Sequence, residues 1–433
     1  MSGRKHIDFI TLGCSKNLVD TERVMRRMEA LGYAVTHDAE RPKGPVVVIN
    51  TCGFIGPAKE ESVNMILRFC ELKRKGKIER VYVMGCLSQR YMTELRQEIP
   101  EVDRFFGKFD FDELTAELGT GEPAPLCGSE RCRTTPSHYA YLKIGEGCDR
   151  TCSYCAIPLI TGGYKSRSMD DIVEETRWLT ARGVKEFQLV AQDLTGYGHD
   201  LYGGAKLPEL VKRLSDVPGV EWLRLHYAYP AAFPYDLLPV MRERENVCKY
   251  LDIALQHISD RMLRLMRRHV DKRSTLELIQ RLRDEVPGIC LRTTLMVGHP
   301  GETDDDFAEL EQFVKDIRFD RMGAFAYSDE ENTYANLHYS DDVPEEVKQR
   351  RLDRLMLVQQ RVSAELNQAK IGTRQRIIVD REEGGYYVGR TQYDSPEVDM
   401  ETLVKADRPM RVGEFYDVTI TSAEEFDLYG TLE

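Results

Sequence analysis

Three cysteines, Cys148, Cys152 and Cys155, stand in the segment G-C-D-R-T-C-S-Y-C, with Tyr154 directly before the last of them. Three thiolates at this C-x3-C-x2-C spacing can hold three irons of a cubane iron–sulfur cluster and leave the fourth iron open. A cluster that only passes electrons has every iron capped by the protein. An open iron can instead bind and activate a small molecule, so the spacing predicts a catalytic cluster in this loop.

A zinc knuckle and a set of three buried structural thiols are the alternatives for this triplet. Structural zinc sites usually pair C-x2-C units and complete a tetrahedral shell with a fourth ligand. No such fourth ligand lies nearby in the sequence. The spacing therefore favours the iron–sulfur cluster, although short motifs also occur by chance.

Composition narrows the class of protein. The 433 residues are enough for two to four domains. No apolar run approaches the roughly 20 residues that cross a bilayer, and the N-terminal segment shows no secretory pattern. We therefore expect a cytoplasmic protein with no membrane partner. Eleven cysteines in such a chain point to metal or redox chemistry, because disulfides are rare in reducing compartments.

The first part of the chain alternates strands and helices. Apolar runs predict strands at Ile7–Leu12, Val46–Asn50 and Val81–Gly85, and amphipathic patterns predict helices at Asn17–Leu31, Pro57–Lys75 and Ser88–Glu98. This alternation predicts an α/β domain, residues 4–120, with a doubly wound parallel sheet covered on both faces.

Cys14, Cys52 and Cys86 each follow the end of one of these three strands. The carboxyl ends of parallel strands share one edge of a sheet, and the loops there form the usual binding crevice. A single cysteine at such a place is commonly just a small buried residue. Three in register predict a second metal cluster.

The rest of the chain divides into three further segments. Residues 121–135 are predicted to be a linker, in which Cys127 and Cys132 have no assigned role. Residues 136–367 contain six strand–helix units, which predict a full or partial (βα) barrel with its site at the carboxyl ends of the strands. Residues 369–433 show short strands and turns, which predict a small antiparallel β-barrel.

Several polar or glycine positions at strand ends of the central domain are candidates for cofactor binding. Each has an ordinary alternative, since a lone histidine is often structural and the segment Gly298–Thr303 reads equally as a strand-to-helix turn. The candidates are Tyr154, Gln192, Gln256, His257, Gly298 and Gly301. No catalytic residue beyond the cluster cysteines is assigned.

Taken together, these motifs resemble the methylthiotransferases of the radical S-adenosylmethionine (SAM) superfamily, over essentially the whole chain. The resemblance rests on T-L-G-C-S-K-N-x-V-D-T-E, N-T-C-G-F-I and M-G-C-L-S-Q-R at the first three cysteines, and on E-G-C-D-R-T-C-S-Y-C-A-I-P in the central domain. The C-terminal barrel resembles the TRAM domain of that family. The chain departs from the family at Met400, where relatives commonly have glycine, and at Thr161 and His299.

The resemblance implies two 4Fe–4S clusters and SAM as cofactors. Cys148, Cys152 and Cys155 would hold the cluster that binds SAM, and Cys14, Cys52 and Cys86 an auxiliary cluster. One SAM would methylate a sulfur on the auxiliary cluster, and a second would be cleaved to a 5′-deoxyadenosyl radical that activates the carbon accepting the methylthio group. A low-potential electron donor such as flavodoxin or ferredoxin would be needed. We expect a monomer.

Two branches of the family differ in substrate. One modifies isopentenyl-adenosine in transfer RNA, and the other modifies the β-carbon of an aspartate in ribosomal protein S12 of the small subunit. Residues 370–433 contain 8 Lys and Arg against 14 Asp and Glu, which suits a basic protein better than a phosphate backbone. We therefore expect the protein substrate, contacted by Asp394, Glu397 and Asp399, although charge runs are usually solvated. A two-cluster electron carrier would need four ligands for each cluster.

Overall fold

The N-terminal domain is a five-stranded parallel sheet with helices on both faces. The computed structural model describes residues 6–119, 128–405 and 407–433. The strand order is β2-β1-β3-β4-β5. The strands are β1 (His6–Thr11), β2 (Ala34–His37), β3 (Val46–Thr51), β4 (Arg80–Gly85) and β5 (Arg104–Phe105), and the helices are α1 (Ser15–Ala30), α2 (Gly56–Arg74), α3 (Cys86–Glu98) and α4 (Phe111–Leu118).

The apolar runs of the central strands explain this packing. Successive side chains of a strand point to opposite faces, so Val47 and Ile49 of β3 pack under α2 while Val48 packs on the other face with Phe9. A strand buried on both faces reads as a continuous apolar run, as β3 does. The predicted α/β class is confirmed. The sequence missed β2 and β5, which lie at the two edges and are short.

The central domain is a six-stranded parallel sheet whose strands follow chain order, β6-β9-β10-β11-β12-β13. This is the arrangement of a partial barrel, in which each helix returns the chain to the next strand. The strands are β6 (Tyr139–Lys143), β9 (Glu186–Val190), β10 (Trp222–Ala228), β11 (Val247–Gln256), β12 (Cys290–Val297) and β13 (Arg321–Ala326), with a small pair β7 (Gly145–Glu146) and β8 (Lys165–Ser166).

Nine helices of the described chain follow α4 within this domain, and a tenth, α14, lies across its last units. They are α5 (Ile157–Thr161), α6 (Met169–Thr180), α7 (His199–Tyr202), α8 (Leu207–Ser215), α9 (Leu237–Glu243), α10 (Asp260–Leu265), α11 (Lys272–Glu285), α12 (Asp304–Ile317), α13 (Tyr334–His338) and α14 (Glu345–Gln368). The long charged helix α14 lies on the barrel, because its Leu355 and Val358 join the barrel core.

The C-terminal domain is a closed five-stranded barrel in the order β14-β15-β16-β18-β17. Its strands are β14 (Arg374–Glu383), β15 (Tyr386–Thr391), β16 (Glu401–Lys405), β17 (Phe415–Ala423) and β18 (Asp427–Leu432). Met400 fills its core with Ile377 and Val418. The departure from glycine at this position therefore adds an apolar side chain to the barrel interior and lies far from any cysteine triplet in the sequence.

Residues 128–135 pack tightly on the N-terminal domain. Arg131 is buried and pairs with Glu22 of α1 at 2.9 Å and with Glu175 of α6 at 3.1 Å. The Cys132 backbone N–H donates to the carbonyl of Glu22 at 3.0 Å. This part of the expected linker therefore fastens α1 to the central domain, whereas Cys127 lies outside the described residues. No helix in the described ranges is long and apolar enough to span a membrane.

The acidic loop after β15 docks onto the central sheet through its carboxylates, while Glu397 and Val398 are exposed. Asp394 is buried and accepts from Arg321 of β13 at 2.5 Å. Asp399 accepts from the Tyr250 hydroxyl at 2.8 Å and from Arg292, and both Glu397 oxygens accept from tyrosine hydroxyls of β6. The predicted role of Asp394 and Asp399 in binding a protein substrate is therefore contradicted, because arginines and a tyrosine of the sheet engage them inside the protein. The role of Glu397, which is exposed, stays a prediction.

Glu186 lies at the centre of the same contact, a joint between the central sheet and the C-terminal barrel. Its carboxylate is fully buried at the start of β9 and accepts from Arg390 of β15 at 2.7 Å and from Arg224 of β10 at 3.0 Å. These two arginines lower the pKa of Glu186 against the opposing effect of burial. A buried carboxylate shared by two buried guanidiniums cannot be removed without leaving charge uncompensated.

The substitution Glu186→Gln tests this joint. It should destabilise the docked domains by about 3–5 kcal/mol, because buried Arg224 loses its carboxylate partner and Arg390 keeps only Asp380. Trp222 packs on Phe415 of the C-terminal barrel at 4.8 Å, so its fluorescence during urea unfolding, in a Trp178→Phe background, reports the joint. The control Glu209→Gln removes an exposed pair with Lys206 and should change stability by no more than about 1 kcal/mol. Equal effects of the two substitutions would contradict the assignment.

Candidate metal and cofactor site

One cavity of about 360 Å³ lies where the carboxyl ends of the two parallel sheets face each other. All six cysteines singled out in the sequence line it: Cys14, Cys52, Cys86, Cys148, Cys152 and Cys155. The N-terminal domain supplies three of them and the central domain the other three. The structure therefore brings the two predicted triplets to a common space.

The N-terminal triplet follows directly from sheet topology. The strands β1, β3 and β4 are neighbours, and Cys52 and Cys86 directly follow β3 and β4 while Cys14 precedes the first residue of α1. Gly13 has a φ of +92°, and a Cβ there would lie 2.7 Å from the Cβ of Cys52. Glycine is thus required for the first loop to approach the second cysteine this closely.

Charge near this triplet differs from one thiol to the next. Burial opposes ionisation of Cys14, but Lys16 and Lys108 more than offset it and lower the pKa of this thiol. Burial raises the pKa of Cys52 and raises that of Cys86 to about 12. Lys108 is itself buried, and its Nζ donates to Asn17 Oδ1 at 3.0 Å and to Asp20 at 3.1 Å.

The second triplet lies in the loop between β7 and α5. The Arg150 backbone N–H donates to Cys148 Sγ at 3.4 Å, and Arg268 Nη1 donates to Cys152 Sγ at 3.2 Å. Burial raises the pKa of Cys148 to about 12 and raises that of Cys155. These two thiols are therefore held protonated, and a metal group that binds them must displace their protons.

Cation–π contacts hold the arginine side chains beside Cys152 in place. The Tyr229 ring lies between two guanidiniums, that of Arg150 at 4.2 Å and that of Arg268 at 4.1 Å from the ring centroid. Arg150 also pairs with Asp193 at 2.7 Å. Cation–π contacts of this kind fix long arginine side chains in place, so the cationic groups beside this triplet are held in defined positions.

The donor set fits an iron–sulfur cluster better than a single ion. Within the described ranges, no group of three or more His, Cys, Asp or Glu side chains is arranged to hold one metal ion. The thiols of each triplet nevertheless line one cavity wall, and beyond burial each triplet shows mutual electrostatic effects on its thiol pKa values. Three thiols that surround a larger space are the donors that a cubane with one open iron requires.

Three of the predicted cofactor residues line the cavity, namely Tyr154, Gln192 and Gln256. The Tyr154 hydroxyl accepts from Arg268 at 3.2 Å. The Oε1 atoms of Gln192 and Gln256 are buried and have no hydrogen-bond partner in the described chain. Buried acceptors without a partner are costly, so these two oxygens are suited to receive donors of a bound molecule.

The other three predicted residues are not among those that line the cavity. The Nδ1 of His257 accepts from the backbone N–H groups of Ile258 and Ser259. Gly298 lies against α14, where an added Cβ would meet the Lys348 side chain at 2.3 Å, and the Gly301 N–H donates to Asp342 at 2.6 Å. The predicted turn therefore supports the docking of α14, and neither glycine lines the cavity with the six cysteines.

Sequence reasoning missed several charged residues of the cavity, namely Lys16, Lys108, Arg150, Asp252 and Arg268. Lys16 stands in the first quoted motif, next to Asn17, and its position could have been noticed. Lys108 and Arg268 come from loops that are distant in the sequence and belong to no motif, so only the fold reveals them.

Three family models match consecutive parts of the chain. Residues 6–107 match the family described as uncharacterized protein family UPF0004, residues 142–314 match the radical SAM superfamily, and residues 371–432 match the TRAM domain. The chain is 63% identical to the ribosomal protein uS12 methylthiotransferase RimO of Phocaeicola vulgatus over 99% of both chains. It is 50% identical to that of Cytophaga hutchinsonii over 98% of this chain and 97% of the other.

Solved structures share the fold at low identity. The radical SAM methyltransferase TsrM from Kitasatospora setae has a TM-score of 0.54 at 14% identity, over 75% of this chain and 72% of its own. The cobalamin-dependent SAM radical enzyme OxsB has a TM-score of 0.52 at 11% identity, over 82% of this chain and 56% of its own. At these identities the likeness shows a common fold.

The thiols of the N-terminal triplet differ in pKa, and this difference can be tested on metal-free protein. A thiolate is the form that iodoacetamide alkylates, so alkylation speeds up as the pH rises through the thiol pKa. Because Lys16 and Lys108 lower the pKa of Cys14, its alkylation should rise at lower pH than that of Cys86 or of Cys70 on α2, whose pKa burial raises to about 11. Pulse labelling of chelator-treated protein with peptide mass spectrometry measures this order. The reverse order would contradict the electrostatic assignment.

Proposed function

This chain belongs to the family of ribosomal protein uS12 methylthiotransferases, and on that premise we propose how it performs the reaction. It transfers a methylthio group to the β-carbon of an aspartate in uS12, with SAM as the methyl and radical source. Cys148, Cys152 and Cys155 hold the cluster that binds SAM, and Cys14, Cys52 and Cys86 hold an auxiliary 4Fe–4S cluster. The observation that carries this proposal is the single cavity that both triplets line.

When bound, the two clusters supply reductive cleavage of SAM at one triplet and the sulfur at the other. The protein's part is to keep these functions in one water-poor space. Asp20 of α1 accepts from Lys143 of β6 and from Lys108, and thereby holds the N-terminal sheet on the central domain. Lys59 and Arg90 make a second contact between the two domains, since each donates to Glu330 at 2.8 Å.

Side chains around the Cys148 triplet provide the groups that a SAM molecule needs. SAM carries an amino group and a carboxylate besides its adenosine. The unpaired acceptors of Gln192 and Gln256 can receive donors from it. Arg268, which donates to Cys152 and to Tyr154, keeps positive charge beside the sulfur ligand, and hydrogen bonds to ligand sulfurs are a principal control of cluster potential.

The remaining parts of the proposal concern partners and setting. A low-potential donor such as flavodoxin or ferredoxin reduces the first cluster. The protein acts as a monomer in the cytoplasm, where uS12 is made. Residues 4–120, 136–367 and 369–433 act as three domains. The exposed carboxylates that remain on the C-terminal barrel, such as Glu383, Glu424 and Glu425, suit a basic protein partner.

Removing one triplet at a time tests the ligand assignment. The triple variants C14A/C52A/C86A and C148A/C152A/C155A should each retain about half of the iron and sulfide of the reconstituted wild-type protein, because each leaves the other triplet intact. Iron and sulfide per chain, with electron paramagnetic resonance of the reduced protein, give the measurement. The control Cys70→Ala removes a buried cysteine outside the cavity and should lose no iron. Full iron in either triple variant would refute the assignment.

A side-by-side assay tests the substrate. Reduced, reconstituted protein with SAM should add a methylthio group to a uS12 peptide and none to isopentenyl-adenosine in transfer RNA. Mass spectrometry of both substrates, with parallel measurement of 5′-deoxyadenosine, separates substrate choice from loss of radical chemistry. Modification of the transfer RNA alone would show that the chain acts as the other branch of the family does.

A further inference from the structure

Lys16 differs from the other described cations of the cavity in that its ammonium has no hydrogen-bond acceptor. Four described residues that line the cavity are cationic: Lys16, Lys108, Arg150 and Arg268. Lys108 pairs with Asp20 and Arg150 pairs with Asp193. Arg268 donates to Cys152, to Tyr154 and to the carbonyl of Ala254. For Lys16, by contrast, no ion pair or hydrogen bond of the side chain occurs within the described ranges.

The Lys16 side chain is nevertheless held in place. It is 8% exposed, and its Nζ lies 3.9 Å from the centroid of the Tyr227 ring at the end of β10. Tyr227 adopts a φ of +61°, an uncommon backbone conformation for a residue with a side chain. A ring face attracts an ammonium but takes none of its three N–H donors in conventional hydrogen bonds. The ammonium is therefore fixed at the cavity wall with donors available.

Cys14 and Glu146 act on Lys16 electrostatically, but neither accepts a hydrogen bond from it, and buried donors without an acceptor are unfavourable unless a ligand supplies one. The carboxylates that line the same cavity cannot do so, because Asp193 pairs with Arg150 and Asp252 pairs with Arg292 at 3.3 Å. Lys16 also stands beside Cys14, on the side of the cavity formed by the N-terminal domain. The missing acceptor should therefore come from an anionic molecule that enters the cavity.

We propose that Lys16 binds the side-chain carboxylate of the substrate's acidic residue. This inference rests on the proposed function, in which the residue modified is an aspartate of uS12. The β-carbon of aspartate is bonded directly to its carboxyl carbon. An ammonium that holds the carboxylate thus places the reacting carbon within one bond of a fixed group, beside the N-terminal triplet and across the cavity from the other. Lys16 acts here as a positioning and specificity residue.

The proposal makes the charge of the substrate side chain, and not only its shape, a determinant of binding. An asparagine in place of the aspartate keeps nearly the same shape but lacks the charge. A hydrogen bond between charged groups contributes roughly 1.5–3 kcal/mol, which corresponds to about a 10- to 100-fold change in affinity. Wild-type enzyme should prefer an aspartate peptide over its asparagine counterpart by about that factor.

The experiment is a double-mutant cycle on cluster-loaded, SAM-bound, unreduced enzyme, so that no turnover occurs. Fluorescence anisotropy measures the binding of labelled uS12 peptides with Asp or Asn at the modified position. Lys16→Met should weaken the Asp peptide about 10- to 100-fold and leave the Asn peptide unchanged. Lys16→Arg should restore part of the preference, because it keeps the charge. The control Lys77→Met, at an exposed position outside the cavity, should change neither peptide.

Three results would overturn the proposal. Equal weakening of both peptides by Lys16→Met, or no weakening, would show that Lys16 does not recognise the carboxylate. Loss of iron or a changed cluster absorption in Lys16→Met would show that Lys16 supports the auxiliary cluster instead. Failure of the proposed function has a different signature, because wild-type enzyme would then transfer no methylthio group to uS12 in the mass-spectrometric assay. Methylthio transfer without any Asp preference would refute the role of Lys16 alone.

Discussion

The shared cavity depends on one buried carboxylate, that of Asp20. It accepts from two buried lysines, Lys108 of the N-terminal domain and Lys143 of the central sheet. Burial opposes its ionisation, but the two lysines outweigh that effect and lower its pKa. A buried ion pair is a weak source of stability compared with apolar packing, but it is exacting in geometry and costly to break. Such a contact suits two domains whose strand ends must face each other at a fixed distance.

At the opposite end of the central sheet, buried ion pairs likewise hold the C-terminal barrel on the sheet. The acidic loop of that barrel places Asp394 on Arg321 and Asp399 on Arg292, while Arg390 reaches back to Glu186. Carboxylates that look like an acidic surface in the sequence, such as Asp394 and Asp399, thus form ion pairs at the contact between the barrel and the central domain. The carboxylates left on the outside of the barrel are fewer than the composition suggests, and they are the ones that can meet a basic partner.

Sequence alone could predict the two cysteine triplets but only part of the polar residues that follow strand ends. The two cysteine triplets were predicted because one has a short spacing and the other follows three neighbouring parallel strands, where topology forces the loops together. His257 and Gly298 also follow strand ends, yet they lie outside the cavity lining. The strand β11 has a register shift before Gln256, whose φ is +71°, and such irregularities decide which side chain faces the site. The ion pair of Asp394 with Arg321 could not be predicted from the sequence either, because Arg321 lies 73 positions earlier in the chain.

The cavity has cations beside each cysteine triplet, and the negative charge of the groups expected to bind there explains this arrangement. Thiolates, an iron–sulfur cluster and the carboxylate of SAM all bring negative charge, and each triplet accordingly has cations beside it: Lys16 and Lys108 at one, Arg150 and Arg268 at the other. Two of these four cations, Lys108 and Arg150, are neutralised by carboxylates of the protein, Asp20 and Asp193. Lys16 is held by the Tyr227 ring and not by a carboxylate, so its charge remains available to a ligand. A preorganised cation of this kind attracts an anionic side chain without the cost of first breaking an ion pair.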